Sequence, residues 1–230
     1  MEEWSNERMG DDGRGTRTMS EPSAPALDAR TAALVRVAAA VARGKAPELE
    51  VRFAAARDAR VPGLWIEELL LQSMLVVGYP LALMAFGTWR GLGAPVEGEG
   101  AEDLAHADWE AWAARGAVVC REVYGRAYHK LLVNLRALHP ALEDLVLVDA
   151  YGKVIGRPGL DLKRRELCTI ATTAVLGTAD QLHSHLRGAL NTGAEPKEIE
   201  AVLALVDGDL DPELRQSAHH QWADVKKRKL

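Results

Sequence analysis

Apolar residues in the second half of the chain recur every three or four positions, the spacing typical of amphipathic helices. Asp161 is a suitable N-cap, and Gly177 a suitable terminator, for one such helix. A second helix is predicted from about Ala179 to Asn191, and Pro196 marks the first turn of a third. The pattern therefore predicts a helical hairpin followed by a further helix.

The same spacing of apolar residues occurs earlier in the chain, where it predicts helices over Ala32–Ala42, Pro47–Ala59 and Leu64–Val77. A shift of 133 positions without gaps aligns this region with the later one. Identical residues then include the turn glycines Gly44 and Gly177, and the shift sets Ala33 opposite Glu166 and Arg52 opposite His185. An internal duplication is predicted, in which only the second copy keeps titratable groups at this place.

Polar and glycine-rich stretches divide the chain. Residues 1–30 are predicted to be a disordered N-terminal arm and residues 91–105 a linker, while residues 152–160 read as a loop. These boundaries predict a degenerate N-terminal helical repeat over 31–90 and a domain that carries the candidate chemistry over 106–230.

Composition supports an all-α fold, because apolar residues make up 48% of the chain and aromatic residues only 5%. Alanine and leucine make up most of the non-aromatic apolar residues, and both are strong helix formers. A net charge of −5 argues against nucleic acid as a partner, since phosphate contacts need clustered lysine and arginine. The basic run at 226–229 reads as a solvated terminus.

No apolar run approaches the roughly 18 residues of a membrane span, and the start of the chain lacks a signal pattern. Two cysteines, Cys120 and Cys168, form neither a disulfide framework nor a zinc-binding spacing. A cytoplasmic protein without membrane association and without a metal site is expected.

The predicted hairpin brings one acid and one imidazole to the same height. Glu166 lies about 16 Å before Gly177 along its helix, and His185 about 12 Å beyond it, at about 1.5 Å per residue. A carboxylate that binds one imidazole nitrogen fixes the tautomer and raises the basicity of the other nitrogen. The pair is therefore a candidate acid/base, although a satisfied polar pair between two helices would have the same spacing.

Other candidates carry a structural alternative as well. Thr178 and Gln181 share the helical face of His185, whereas His183 lies about 200° round the helix and reads as a surface or hydrogen-bonded residue. Arg157 could hold a substrate carboxylate or cap a helix. Both cysteines read as small core residues, with residual thiol chemistry at Cys168 as the weaker alternative.

Several segments together resemble the carboxymuconolactone decarboxylase family and the related alkylhydroperoxidase D proteins. The residues that carry the resemblance span about 148–205 and include Tyr151-Gly152-Lys153-Val154, Arg157-Pro158-Gly159-Leu160-Asp161, Arg165-Glu166-Leu167, Gln181-Leu182-His183-Ser184-His185 and Glu198-Ile199. The segment Trp65–Ala85 looks like the end of such a domain. The resemblance implies an alkylhydroperoxidase D-like helical bundle, here as two tandem helical repeats.

The peroxidase branch of this resemblance implies two cysteines between the glutamate and the histidine. Thr178 and Gln181 occupy those positions, and neither side chain can form the thiolate that attacks a peroxide. A peroxidase activity of the dithiol type is therefore not expected here, whatever the family-level label.

The decarboxylase branch implies a lyase that acts on a small unsaturated organic acid or lactone without a cofactor. His185 would be the general acid/base and Glu166 its orienting partner, with Gln181, Thr178, Arg157 and His183 as candidate substrate contacts. Gln181 replaces the acid expected four residues before His185. A catalytically degenerate binding or scaffold protein is therefore the alternative, and the family implies self-association as a trimer or hexamer.

Overall fold

The computed structural model describes residues 26–94 and 108–229, and every regular element in these ranges is helical. The prediction of an all-α fold is confirmed. The α-helices are α1 Ala29–Arg43, α2 Ala46–Asp58, α3 Gly63–Gly91, α4 Trp109–Tyr124, α5 Tyr128–Leu138, α6 Leu142–Asp144, α7 Leu162–Leu176, α8 Ala179–Asn191, α9 Pro196–Val206 and α10 Pro212–Lys229. A π-helix, Leu145–Ile155, directly follows α6.

Helices α1, α2 and α3 begin 133 positions before α7, α8 and α9, so the structure repeats the register found in the sequence. The N-cap carboxylates of Asp28 and Asp161 each accept a backbone N–H bond at the third following residue. Gly44 and Gly177 end α1 and α7 in the left-handed conformation, which glycine adopts without a Cβ clash.

Tertiary contacts repeat with the same register. The indole of Trp89 donates a hydrogen bond to Glu67, and the indole of Trp222 donates one to Glu200. Both tryptophans lie 22 residues after their acids, each on a helix that packs back over its own repeat. Two copies of one helical unit therefore make up most of the described chain, in agreement with the predicted duplication.

The two repeats share one core, in which α1 packs along α7. Leu34 and Val35 of α1 and Leu167 and Ile170 of α7 are completely buried. Burial of such side chains contributes about 1.5–3 kcal/mol each, so this contact is a main source of stability. Because α7 is packed between the two repeats, its backbone holds the carboxylate of Glu166 in a defined position.

Helix α3 is long and apolar enough to cross a bilayer by length and composition alone. However, Gly78 has φ 76° and ψ 169°, which breaks the helix before Pro80, and the straight part is only about 22 Å long. Glu67, Glu68 and Gln72 of this part are buried in contacts within the protein. These polar contacts fix the first part of α3 against the rest of the protein.

Two predicted boundaries differ from the structure. The loop expected over 152–160 begins only at Gly156, because residues 152–155 continue the π-helix. In the predicted disordered arm over 1–30, residues 29 and 30 already belong to α1, and residues 1–25 lie outside the described part. Most of the predicted linker over 91–105 lies outside it as well, so the domain boundaries stay a prediction.

Helix α4 and the π-helix form a separate layer that covers the second repeat. Their backbones touch, since a Cβ on Gly116 would lie 1.8 Å from the carbonyl oxygen of Leu147, and one on Gly152 would lie 2.4 Å from that of Trp112. Arg115 also donates to the carbonyl oxygen of Gly152 over 2.7 Å. Larger residues at the two glycines would force these helices apart.

Candidate functional site

The hairpin of α7 and α8 brings Glu166 and His185 into direct contact. Nδ1 of His185 lies 2.9 Å from Oε2 of Glu166. Glu166 is only 3% exposed, and its partner is partly exposed. An ionised carboxylate can only accept, so Nδ1 carries the proton in this bond and Nε2 is left to exchange one with a bound molecule.

Gly188 provides the space for the carboxylate. It lies on α8, and a Cβ there would approach Oε2 of Glu166 to 2.3 Å and the side chain of Val123 to 3.0 Å. Since 2.3 Å is far shorter than a non-bonded contact between carbon and oxygen, a side chain at this position would displace the carboxylate from His185. The glycine thus belongs to the site without contacting a substrate itself.

The acid and the imidazole border a pocket of about 250 Å³, which we call the Glu166–His185 pocket. It is lined mainly by apolar and uncharged polar side chains from α3, α4, the π-helix, α7 and α8. Lining residues are Gln72, Leu75, Val76, Tyr124, Val146, Ala150, Tyr151, Ile155, Glu166, Thr169, Thr173, Leu176, Thr178, Gln181 and His185. A mostly apolar pocket with few polar groups is typical of a small-molecule site.

Four of the six predicted site residues therefore line one cavity: Glu166, Thr178, Gln181 and His185. The other two lie elsewhere. Nε of Arg157 is 3.1 Å from Glu68, in an ion pair outside the pocket wall, and Nδ1 of His183 is 3.0 Å from the amide oxygen of Gln221 on α10. Because both side chains contact other residues of the protein and do not line the pocket, we do not propose them as substrate contacts.

Two tyrosines complete the pocket and were not predicted as site residues. Tyr124 ends α4 and Tyr151 lies in the π-helix, and their rings meet edge to face with the centroids 6.2 Å apart. Burial, followed by the neighbouring charge of Glu166, raises the pKa of Tyr124 to about 12, and burial also raises the pKa of Tyr151. Both phenols therefore keep their protons at neutral pH and are potential hydrogen-bond donors.

No local pattern in the sequence points to Tyr124, because α4 is separated from the hairpin by about 40 residues, which form α5, α6 and the π-helix. Only packing through Gly116 and Gly152 brings it to the pocket. Tyr151 stands within the segment that carries the family resemblance, and that position was the one available signal.

Below the pocket, Arg165 is completely buried beside Glu166 on α7. Its guanidinium lies 2.8 Å from Oε2 of Glu68 and also donates to Gln72 and to the carbonyl oxygens of Leu160 and Arg157. Glu68 belongs to the first repeat and Arg165 to the second. This buried pair therefore ties the two repeats together directly next to the site.

Both thiols lie in the core and away from the positions of a peroxidase pair. Cys120 and Cys168 are fully buried, and burial raises the pKa of each to about 12. A thiol that stays protonated and inaccessible neither attacks a peroxide nor reacts with an alkylating agent. Thiol chemistry at Cys168 is accordingly disfavoured.

We expect these thiols to make the protein less stable as the pH rises above 9. An unfolded thiol releases its proton near its ordinary pKa of 9.0, whereas the native thiols hold theirs to about pH 12. The unfolded state then binds fewer protons, and each thiol lowers the free energy of unfolding by about 1 kcal/mol between pH 9 and pH 10. Urea unfolding at pH 9 and pH 10 measures this slope. The buried phenols, whose ordinary pKa is 10.0, add to the loss near pH 10, so the contribution of the thiols is the difference from a variant without them.

A Cys120→Ala/Cys168→Ala variant provides the control, since it lacks both titrating groups. Its slope between pH 9 and pH 10 should be clearly shallower than that of the unmodified protein, whatever its absolute stability. Equal slopes would show that the thiols are accessible in the native state.

Among the described residues, no group of three or more His, Cys, Asp or Glu side chains is arranged to hold a metal ion. The site instead consists of a hydrogen-bonded acid and imidazole, two phenols, an amide and hydroxyls around an apolar space. Such a set can transfer a proton and stabilise negative charge on a small molecule.

Comparison with known proteins agrees with this site. The sequence profile of the carboxymuconolactone decarboxylase family matches residues 15–90 and 145–218, one match in each repeat. Since these matches cover more than half of the chain, the protein belongs to this family. The second match contains the whole hairpin, with both Glu166 and His185.

Two curated relatives are decarboxylases by name. The 4-carboxymuconolactone decarboxylase of Acinetobacter baylyi is 33% identical over 90 residues, which cover 39% of this chain and 67% of the relative. The nitrosuccinic acid decarboxylase npaB of Metarhizium robertsii is 37% identical over 90 residues, covering 38% of this chain and 63% of that protein. The chain is thus decarboxylase-like, and each match spans about two thirds of the relative.

Proposed function

We propose that the protein is an enzyme that decarboxylates a small organic acid, with His185 as the proton donor. The contact between Nδ1 of His185 and Oε2 of Glu166 at the wall of an apolar pocket carries this proposal. The names of the two relatives support it, because both denote enzymes that remove carbon dioxide from a small acid.

The reaction would proceed in two steps. The bond between the carboxylate and its neighbouring carbon breaks, carbon dioxide leaves, and the electron pair remains on that carbon. An unsaturated lactone or a nitro group next to it delocalises the pair, so the substrate itself supplies the electron sink and no cofactor is required. Protonation of the carbon by Nε2 of the doubly protonated His185 gives the product, and a solvent proton restores the imidazolium.

Glu166 has two tasks in this scheme. Its carboxylate orients the ring so that Nε2 faces the pocket, and its charge stabilises the imidazolium that donates the proton. The apolar wall also favours the first step, because a carboxylate loses hydration there while the delocalised carbanion and carbon dioxide do not need it as much.

The uncharged polar side chains of the pocket would bind the oxygen atoms on which negative charge develops. Gln181, Thr178 and Tyr124 all line the pocket. The amide of Gln181 and the protonated phenol of Tyr124 can donate hydrogen bonds without carrying a charge of their own. Gln181 therefore serves the transition state as a donor, although it cannot titrate like the acid that the family resemblance implies at this position.

The test is release of carbon dioxide from a panel of lactone acids and nitro acids, which includes 4-carboxymuconolactone and nitrosuccinate. We expect at least one substrate to be turned over, and His185→Ala to reduce kcat by about 10²- to 10⁴-fold, the usual contribution of a positioned acid or base. His183→Ala is the matched control, because His183 lies on the same helix but contacts Gln221. Equal rates for His185→Ala and His183→Ala would exclude the proposed mechanism.

A binding protein without turnover is the second candidate, and the amide at Gln181 is the observation that favours it. In that case an acid from the panel would bind and raise the melting temperature of the protein, while carbon dioxide release stayed at the background level for both histidine variants. Turnover that depends on His185 would exclude it.

Self-association as a trimer or hexamer stays a prediction. Leu75, Tyr79 and Leu83 support it, because all three are exposed apolar side chains of α3, on either side of the break at Gly78, and Leu75 borders the pocket. Exposed apolar side chains that lie together are typical of an interface. Light scattering at several protein concentrations measures the oligomeric state. A cytoplasmic location stays a prediction as well.

A further inference from the structure

A second recess lies in the first repeat, at the place that corresponds to the Glu166–His185 pocket. It has a volume of about 320 Å³ and is formed by α1 and α2. Its lining residues are Ala29, Ala32, Ala33, Arg36, Arg52 and Ala55, and we call it the α1–α2 recess. Under the shift of 133 positions, Arg52 corresponds to His185 and Ala33 to Glu166.

The first repeat has Ala33 where the second has Glu166, and a second position beside it differs as well. In the second repeat Gly188 must lack a Cβ because Glu166 fills the space beside it. In the first repeat the corresponding residue is Ala55, and the short side chain of Ala33 leaves room for its methyl group. The two exchanges remove a negative charge and leave methyl groups around the arginines.

The charges around the recess are predominantly positive. Within the described part of the chain, no carboxylate oxygen lies within 4 Å of Arg36. Asp209 is shared, at 3.9 Å from Arg52 and 3.6 Å from Arg43, and Glu48 pairs with Arg43 at 3.0 Å. The two guanidinium groups that line the recess therefore meet only one carboxylate among the described residues, Asp209 at 3.9 Å from Arg52, and Arg36 is exposed to solvent. Both guanidinium groups are thus accessible to an anion.

We propose that the α1–α2 recess binds a small carboxylate-bearing anion through Arg36 and Arg52. A guanidinium presents its N–H groups in a planar fork that matches the two oxygens of a carboxylate. The alanine side chains leave room for a short aliphatic chain between the two arginines. The recess has no acid/base pair, so the anion binds without being turned over, and this site is independent of the reaction proposed for the second repeat.

Isothermal titration calorimetry of the full chain with succinate at low ionic strength tests this site. Binding is expected for the unmodified protein and for His185→Ala, which leaves the recess intact. Arg36→Gln/Arg52→Gln should weaken binding at least about tenfold, since each charge-assisted hydrogen bond typically contributes that much or more. Arg30→Gln, which removes a charge from α1 outside the recess, is the matched control and should bind like the unmodified protein.

A second double variant tests the same site independently, in case Arg36→Gln/Arg52→Gln does not fold. Ala33→Glu/Ala55→Gly rebuilds the acid and the glycine of the second repeat, so its new carboxylate should pair with Arg52 and abolish succinate binding while circular dichroism and the melting temperature are maintained. The site would be refuted by a lack of binding to the unmodified protein, or by unchanged binding in either double variant. Tighter binding of inorganic phosphate than of succinate would overturn the assignment to carboxylates.

Discussion

Replacement of Glu166 by glutamine is expected to lower kcat by about 10²- to 10⁴-fold, the range found where an acid that orients a catalytic histidine is neutralised. The amide has nearly the same shape as the carboxylate but no charge to stabilise the imidazolium, and it can also hold the ring in the wrong tautomer. KM should change much less, because Oε2 of Glu166 is engaged with His185 and its side chain, although it borders the pocket, is only 4% exposed. Steady-state kinetics on the substrate found in the panel measures both constants.

The fold should tolerate this exchange, because an uncharged amide is easier to bury than a carboxylate. Circular dichroism and thermal melting check that point. Glu200→Gln is a suitable control, since Glu200 binds Trp222 and Lys226 on the far side of its own repeat. If Glu166→Gln keeps kcat close to that of the unmodified enzyme, the pair is a structural contact and the proposed mechanism fails.

Removal of one partner of the buried pair between Glu68 and Arg165 is expected to cost about 3–5 kcal/mol of the free energy of unfolding. Glu68→Gln would leave the guanidinium of Arg165, which is completely shielded from water, without its counter-charge. Burial already lowers the pKa of Arg165, which shows that its charged form is strained by desolvation. Urea unfolding at neutral pH measures the loss.

A double variant separates the two contributions to this effect. Glu68→Leu/Arg165→Met removes both charges of the pair, and it should recover part of the stability that Glu68→Gln loses. The recovery is partial because Arg157, which also pairs with Glu68 at 3.1 Å, still loses its carboxylate. The exposed pair between Arg136 and Glu143 is the control, because solvent screens it and Glu143→Gln should leave the stability nearly unchanged. An equally small effect of Glu68→Gln would contradict the role of the buried pair in joining the repeats.

The prediction of the hairpin from sequence succeeded because its signals are local. Asp161 and Gly177 act on neighbouring backbone groups, so the ends of α7 follow from the residue types alone. Once both helices and their short turn are known, the rise per residue places Glu166 beside His185. The contact at 2.9 Å therefore needed little information from the rest of the molecule.

The boundary at Gly156 could not be predicted in the same way. Glycines at 152 and 156 read as loop signals, but Gly152 instead permits the π-helix to touch the backbone of α4. A glycine selected for close helix packing and a glycine selected for a turn look identical in a single sequence. The role of Arg157 could not be predicted from the sequence either, because its partner Glu68 lies 89 positions away in the chain.

By itself, the sequence determined the all-α class, the caps and turns of the hairpin, the register between the two repeats and the pairing of Glu166 with His185. All of these depend on residues that are close in the chain or related by one constant shift. Only the tertiary structure decided that Tyr124 and Tyr151 close the pocket and that Glu68 balances Arg165, because these contacts join distant segments whose packing no local pattern encodes.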